Sequence, residues 1–331
     1  MKENQVLIVT DKNEPSATKV IDYLQEMDTS FFRLDVSLML EIQSKIVLGI
    51  RGATLTGYIQ SEEGTKIDLE TVKSVWFRKP KPISIFGKTS VVERKFIEGE
   101  FKSSLWSLYT CLESVYWMNH PLYALNLLEH NKLFQLKLAV SVGLAIPDTI
   151  VTNKADELIG FCEKHNGFIA VKAVRSQIFQ EDDGSAIGIY TNKVSIGYLK
   201  NHVNDIGLAP VMAQEYIEKK LELRITIVGK QVFTCAIHSQ DSERTKYDWR
   251  RYDFANVKHE PYELPGSLEF QLLDFMKRCN LSFGAIDMIL TPKDRYIFLE
   301  VNPNGQFGWI ENLANLPISR TIAKTLRQGR D

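Results

Sequence analysis

The chain is poor in most features that would mark a specialised scaffold. Its four cysteines, Cys111, Cys162, Cys235 and Cys279, are too far apart for CxxC zinc or redox spacing. Each lies in an apolar stretch, which casts it as a small core residue. No apolar run approaches the ~20 residues of a membrane helix, and the short run Val6–Leu7–Ile8–Val9 reads as a strand rather than a signal peptide. Neither sign of charge is in excess: 40 Lys+Arg face 41 Asp+Glu for a net charge of −1, which argues against a dedicated nucleic-acid binder. There is no GxGxxG, because Gly49, Gly52 and Gly57 have the wrong spacing, so a dinucleotide fold has no support. What is present is an ordinary globular composition, 44% hydrophobic over 331 residues, which excludes disorder. That length suits two or three domains and buries about 75% of the unfolded surface without a disulfide or metal staple. The expectation is a reduced, soluble, cytoplasmic protein with neither nucleic acid nor membrane as partner.

The pattern of elements is α/β. A strand over residues 5–10 is followed by a helix from Ser16, capped by that serine, to Met27, and then by a strand over 31–35, a β-α-β start. Residues 45–60 read as a hairpin, 74–78 as a short strand ended by Pro80 and Pro82, and 91–109 as a long helix. Asn119–His120–Pro121 breaks the pattern and gives a boundary, so that 1–119 forms an N-terminal α/β domain. Beyond it the spacing predicts a helix over 123–142 closed by Gly143, a strand over 168–174, a short helix over 194–203 and a strand over 211–217. Asp182–Asp183–Gly184–Ser185 falls in a polar loop. Two hairpins follow, 221–228 with 231–238 around Gly229–Lys230, and 283–290 with 296–302, separated by an amphipathic helix over 267–279. The expected divisions are therefore 1–119, 120–213 and 214–331.

The last hairpin carries the most chemistry. With a turn centred on Lys293–Asp294, Pro292 faces Arg295 and Asp287 faces Glu300, with Asn302 on the same face. Two carboxylates side by side among Ala285, Ile286, Ile289, Phe298, Leu299 and Val301 repel each other and are poorly hydrated. A hard divalent cation such as Mg²⁺ removes that conflict, commonly with one or two carboxylates plus substrate phosphates. A solvent-facing sheet surface and a glycosidase-like acid pair stay open on the hairpin alone. Lys172, inside an apolar strand, needs an anion or an exit to water. Lys132 sits on a helix and by itself means nothing. Gln214–Glu215–Tyr216–Ile217 ends a strand at a connector whose main chain could read an adenine edge. Glu222 and Arg224 share a strand face. His238 is a candidate base, but a two-residue hairpin places it opposite Leu221, away from both. The loop 244–251, with Arg244, Lys246, Arg250 and Arg251 among Tyr247 and Trp249, suits an anion-binding lid.

In order along the chain these signals resemble the ATP-grasp superfamily of ligases: Lys132, Lys172, Gln214–Ile217, Glu222–Leu223–Arg224, Asp248–Trp249–Arg250, Asp287 and Leu299–Glu300–Val301–Asn302–Pro303–Asn304–Gly305. The stretch from Glu300 through Pro303, Gln306 and Trp309 to Glu311 is similar to graspetide synthetases, the microviridin-type and grasp-with-spasm peptide maturases. So are Val75–Trp76–Phe77–Arg78–Lys79–Pro80 and Asn131–Lys132–Leu133–Phe134–Gln135. The resemblance implies an ATP-grasp fold with a preceding α/β domain. It implies that Lys132 and Lys172 bind ATP phosphates, Gln214 to Ile217 meet adenine and Glu222 the ribose. Asp287, Glu300 and Asn302 would hold Mg²⁺, while Arg224 and Arg250 stabilise the transferred phosphate and His238 serves as base. It further implies a ribosomal precursor peptide, leader plus acidic core, as substrate, and a homodimer. Its activity would be closure of Asp or Glu side chains onto Thr, Ser or Lys as ω-esters or ω-amides; the alternative is an intermolecular ligase that adds an amino acid to a protein or small molecule.

Overall fold

A computed structural model of the chain describes residues 5–38, 45–61, 64–83, 90–112, 114–175, 178–180 and 186–329. The fold is mixed α/β. The strand Gln5–Thr10 pairs in parallel with Phe31–Leu34 on one side and Val72–Arg78 on the other, and Tyr116–Met118 continues the parallel sheet beyond Val72–Arg78. Its apolar run is continuous because both faces are covered. With the side-chain period of two, Val6 and Ile8 join a core with Ile21, Leu24 and the C-terminal residues Ile322 and Leu326, whereas Leu7 and Val9 join Phe32, Leu34, Leu105 and Leu108 on the other side. The C-terminal helix Ile318–Gln328 thus closes one face of the N-terminal sheet beside the helix Pro15–Glu26.

Two helix boundaries differ from the sequence expectation. Pro15 takes the first helical position, which needs no N–H, so the cap moves from Ser16 to Glu14, whose carboxylate accepts the N–H of Ala17 at 2.5 Å. The helix expected over 123–142 is interrupted. Pro121–Tyr123 and a π-turn over Ala124–Glu129 end at His130, and the side chain of Asn131 accepts the N–H of Phe134 at 3.2 Å to start a new helix, Lys132–Ser141. Lys132 is therefore the first residue of a helix rather than a mid-helix lysine. Cys162, Cys235 and Cys279 are buried, but Cys111 is exposed, because Leu105, Leu108, Tyr109 and Leu112 form the inward face of its helix.

A second sheet is antiparallel, in the order Asn192–Ser195, Phe168–Lys172, Val211–Glu215, Thr149–Thr152. Its helices Ala155–Lys164 and Ile196–Asn201 share a core of Leu158, Cys162, Ile169, Leu199 and Ala213. The helix expected from Val194 starts at Ile196, because residues 192–195 pair with Phe168–Val171 and Ser195 then caps the helix. Ile178–Gln180 pairs with Ala186–Gly188, and the loop Asp182–Ser185 lies outside the described residues.

The third sheet is antiparallel, in the order His259–Pro261, Gln231–Ile237, Leu221–Val228, Phe283–Leu290, Tyr296–Asn302. Gly229, at φ +59°, opens the two-residue turn of its first hairpin. In the last hairpin the turn is not centred where expected: Thr291 N–H donates to Arg295 O at 2.9 Å, and Met288 faces Phe298. A bulge then leaves Leu299 as an extra residue and restores the pairing of Asp287 with Glu300. The expected carboxylate pair forms, but through a shifted turn compensated by a bulge.

The first and third of these sheets are tied together by polar side chains. Arg78, wholly buried, donates to the carbonyls of Asn304 and Gly305, to Gln306 Oε1 and to Glu14 Oε1. Asn119 accepts the N–H groups of Ser282 and Phe283 and donates to Phe283 O and Pro303 O. Among the described residues no helix is long and apolar enough to cross a membrane.

Candidate active site

Between the second and third sheets lies a cleft lined by Lys132, Lys172, Lys193, Gln214–Ile217, Lys219, Glu222, Tyr247–Arg250, Asp287 and Glu300, with apolar Leu223, Met288 and Leu299. Its floor is the bulged hairpin. Arg224, opposite Asp287 on the neighbouring strand, grips that carboxylate with Nη1 at 2.9 and 2.8 Å, and Asn302 Nδ2 donates to Asp287 Oδ2 at 3.2 Å. Lys132 Nζ stands 3.1 Å from Glu300 Oε2. The two acids titrate in opposite directions. Burial pushes Asp287 up against the pull of Arg224, and the charge of Glu300 pushes it further. Burial would raise Glu300 as well, but Lys132, Lys172 and Arg250 together hold it at about 2. Lys172 is lowered to about 8, by burial first, with Glu300 opposing.

The helix that carries Lys132 is fixed to the floor by Gln135, one turn on and on the same face. Its Nε2 donates to Leu128 O at 2.8 Å and Val301 O at 3.0 Å, and its Oε1 accepts Val301 N–H at 2.9 Å. Gln135 therefore sets the height of Lys132 above Glu300. The sequence reading treated it only as part of a motif; a buried glutamine on the lysine's own helix face is the signal that could have found it.

The connector Gln214–Ile217 leaves the second sheet along one wall of the cleft. The Gln214 side chain is used inside the protein, donating to Thr149 Oγ1 at 3.0 Å, which leaves the main chain and Tyr216 to face the opening. Lys193 Nζ sits 4.0 Å over the Tyr216 ring. Glu222 is pushed up to about 7 by burial, opposed by Lys219, with which it forms an ion pair; Lys219 also donates to Tyr247 O at 3.0 Å. The sequence reading missed Lys219, although the i,i+3 spacing to Glu222 was visible.

On the opposite wall, Asp248 holds Arg250 with two bonds at 2.8 and 2.5 Å and accepts Thr191 N–H at 2.8 Å. Burial alone would raise Asp248; Arg250 lowers it. Of the arginine-rich loop only Tyr247 to Arg250 line the cleft, while Lys246 pairs with Glu243 and Arg251 reaches Asn192. His238 is not brought to the cleft. It lies just beyond the strand Gln231–Ile237 with Nε2 2.8 Å from Glu260 Oε1, and Glu260 is also paired with Lys258.

A scan against protein families matches residues 129–326 to the RimK-like ATP-grasp domain. The chain belongs to this family. As an ATP-grasp ligase it is an ATP-dependent enzyme, and the matched segment contains every cleft residue named above. Among solved structures it is similar to a RiPP-associated ATP-grasp ligase of Chryseobacterium gregarium, in complex with ADP and a leader and core peptide, at 31% identity over 98% of this chain and 97% of that one, TM-score 0.88. The macrocyclase MdnC of Microcystis aeruginosa, bound with precursor peptide MdnA, matches at 31% identity over 98% and 99%, TM-score 0.83. The macrocyclase MdnB of the same organism matches at 29% identity over 98% and 99%, TM-score 0.78. No curated protein matches the chain.

Proposed function

We propose that this ligase is a graspetide synthetase: it activates Asp or Glu side chains of a ribosomal precursor peptide and closes them onto Thr or Ser hydroxyls or Lys amines of the same peptide. The carrying observation is the charge layout of the cleft. Six cations, Lys132, Lys172, Lys193, Lys219, Arg224 and Arg250, stand against five carboxylates, Glu215, Glu222, Asp248, Asp287 and Glu300, and Lys132, Lys172 and Arg250 converge on Glu300, where a polyphosphate and a substrate carboxylate require positive charge. Peptide-bound ligases and macrocyclases that match over nearly the whole chain support a peptide as the substrate.

The carboxylates Asp287 and Glu300, cross-strand partners of hard oxygen type, fit Mg²⁺ together with the amide of Asn302. Among the described residues no group of three or more His, Cys, Asp or Glu could hold a metal, so the ion would rely on substrate phosphates for its remaining ligands. When bound, Mg²⁺ neutralises the phosphate oxygens. The residues of the chain do the rest. Tyr216, Ile217 and the main chain of Gln214–Glu215 hold the adenine, and Glu222, positioned by Lys219, the ribose. Lys132 and Lys172 hold the phosphates. Arg224 and Arg250 face the transferred phosphoryl group as the peptide carboxylate attacks the γ-phosphorus and ADP leaves. The acceptor oxygen or nitrogen then attacks the acyl carbon, and phosphate and a proton leave. His238 has no part in this scheme. We assign residues 1–119, 120–213 and 214–331 to an N-terminal α/β domain and two ATP-grasp subdomains, and expect a cytoplasmic homodimer.

The test is the intact mass of the precursor peptide encoded beside this gene after incubation with enzyme, ATP and Mg²⁺. Loss of one water per bond, with ADP formed, supports the proposal. A mass gain of one amino acid would point to the intermolecular ligase instead, and no ATP consumption with any acidic peptide would overturn both.

A further inference from the structure

Among the described residues seven non-glycine residues occupy positive φ: Asp28, Lys79, Asn166, Tyr252, Asn280, Asp294 and Asn315. Five are Asp or Asn, the types that tolerate this region, and they follow helices or sit in the last hairpin turn. The other two are bulky, Lys79 at φ +43° just past a strand and Tyr252 at φ +40° at the end of the short helix Trp249–Arg251, and neither is of the type that tolerates this region. Strain of this kind persists where the surroundings impose it, and it clusters at ligand sites. Both residues lead to Arg224, the residue that grips Asp287: Arg78, next to Lys79, holds Gly305 O and Gln306 Oε1 while Arg224 holds Gln306 O at 3.1 Å, and Tyr252 packs on the Trp249 ring that lies beside the Arg224 guanidinium.

Their positions are independent of each other. Lys79 is the first residue past the strand Val72–Arg78, and that strand and Gln5–Thr10 flank the point where the order of the parallel sheet reverses. Open parallel sheets bind ligands at that crevice, outside the carboxyl ends of their strands. Arg78 fills its inner part by holding the Asn304–Gln306 segment, which leaves Lys79 at the mouth. Tyr252 arrives from the other side. It closes the turn that carries Arg250, donating its N–H to Trp249 O at 3.0 Å, and it is 42% exposed. Its ring stands edge-on to Trp249 at 5.7 Å, and Trp249 in turn stacks on Trp309 at 4.8 Å and lies under the Arg224 guanidinium at 5.7 Å.

We propose that Lys79 and Tyr252 are specificity residues that hold an acidic segment of the substrate peptide against Arg224, Lys79 by charge and Tyr252 as an aromatic wall with a hydroxyl donor. The proposal rests on the reading of the enzyme as a peptide ligase and adds to it the subsite where the acid waits. The charges agree. Lys79 is exposed and follows directly on the buried guanidinium of Arg78, whose carboxylate partner is Glu14, so an arriving carboxylate meets an accessible ammonium beside a cation already paired. The Tyr252 phenol, like any tyrosine, is protonated at neutral pH and can donate to a carboxylate.

The test measures binding, in the presence of ADP, of two labelled forms of the precursor peptide encoded beside the gene: native, and with every core Asp and Glu replaced by Asn and Gln. The wild type should prefer the native form, and Lys79→Met should remove about tenfold of that preference. Tyr252→Gly should weaken both forms, because glycine accepts the backbone angle that tyrosine resists but removes the ring that meets Trp249, Phe254 and Trp309. ADP affinity should be unchanged in both variants. No preference in the wild type, full preference in Lys79→Met, or unaltered peptide affinity in Tyr252→Gly would overturn the proposal. Binding of the native peptide without cyclisation would defeat the assigned reaction and leave this subsite standing.

Discussion

Gln135 and Val301 exchange hydrogen bonds in both directions, the glutamine donating to the carbonyl of Val301 at 3.0 Å and accepting its N–H at 2.9 Å. Val301 lies between Glu300 and Asn302, so one side chain couples the helix of Lys132 to the strand that carries the acids. Replacing Gln135 with Ala strands the buried N–H and C=O of Val301, while the carbonyl of Leu128 keeps the N–H of Asn131. We expect a loss of roughly 2–4 kcal/mol in urea unfolding, together with a fall in kcat, because Lys132 and Glu300 lose their common reference.

Glu300→Gln keeps the shape of the side chain but removes the charge that Lys132, Lys172 and Arg250 converge on. Far-UV circular dichroism should be unchanged, while peptide-dependent ADP release falls by at least about a hundredfold and excess Mg²⁺ fails to restore it. Retained turnover would remove Glu300 from the metal assignment.

Lys172 gives a pH signature with a definite sign. Its ordinary value of 10.5 falls to about 8 in the folded protein, because burial penalises the ammonium. Between those values the unfolded chain holds a proton that the folded chain has released. This contribution to stability therefore rises with pH over that window, while below about 8 the buried charge costs stability. Binding runs the other way, since a neutral lysine no longer attracts phosphate. The KM for ATP should rise as pH passes through about 8. Lys172→Arg, which cannot deprotonate there, should move that break upward.

Much of this site is legible in the sequence, and the reasons for the exceptions are local. Gly229–Lys230 marks the first hairpin because a glycine in the first of two turn positions supplies the positive φ such a turn needs, and Val228 pairs with Gln231 around it. Asp287 and Glu300 were correctly paired by a count that placed the turn one residue off; the bulge at Leu299 cancelled the error, and no alternation of apolar residues announces a bulge. The break at Asn131 was hidden because the apolar spacing runs on through it and only the asparagine's capping chemistry interrupts the helix. The placement of Ile318–Gln328 against the N-terminal sheet depends on contacts across some three hundred residues, which local pattern cannot encode.

Gly305 is required for a steric reason rather than a backbone one. A Cβ built on it would stand 2.4 Å from the Cβ of Ala285 and 2.8 Å from Nη2 of Arg224. The first neighbour belongs to the floor strand; the second is the guanidinium that holds Asp287 and donates to Gln306 O at 3.1 Å. Gly305→Ala must therefore push the loop off the sheet or turn Arg224 away from Asp287. Overpacking of this kind costs about 1–3 kcal/mol, and we expect activity to fall further than stability, because the displaced group is the arginine. Ala285→Gly removes the closer clash while leaving the one with Arg224. The double variant should then regain most of the lost unfolding free energy but only part of the lost kcat. Full recovery of both would mean that Arg224 was never displaced.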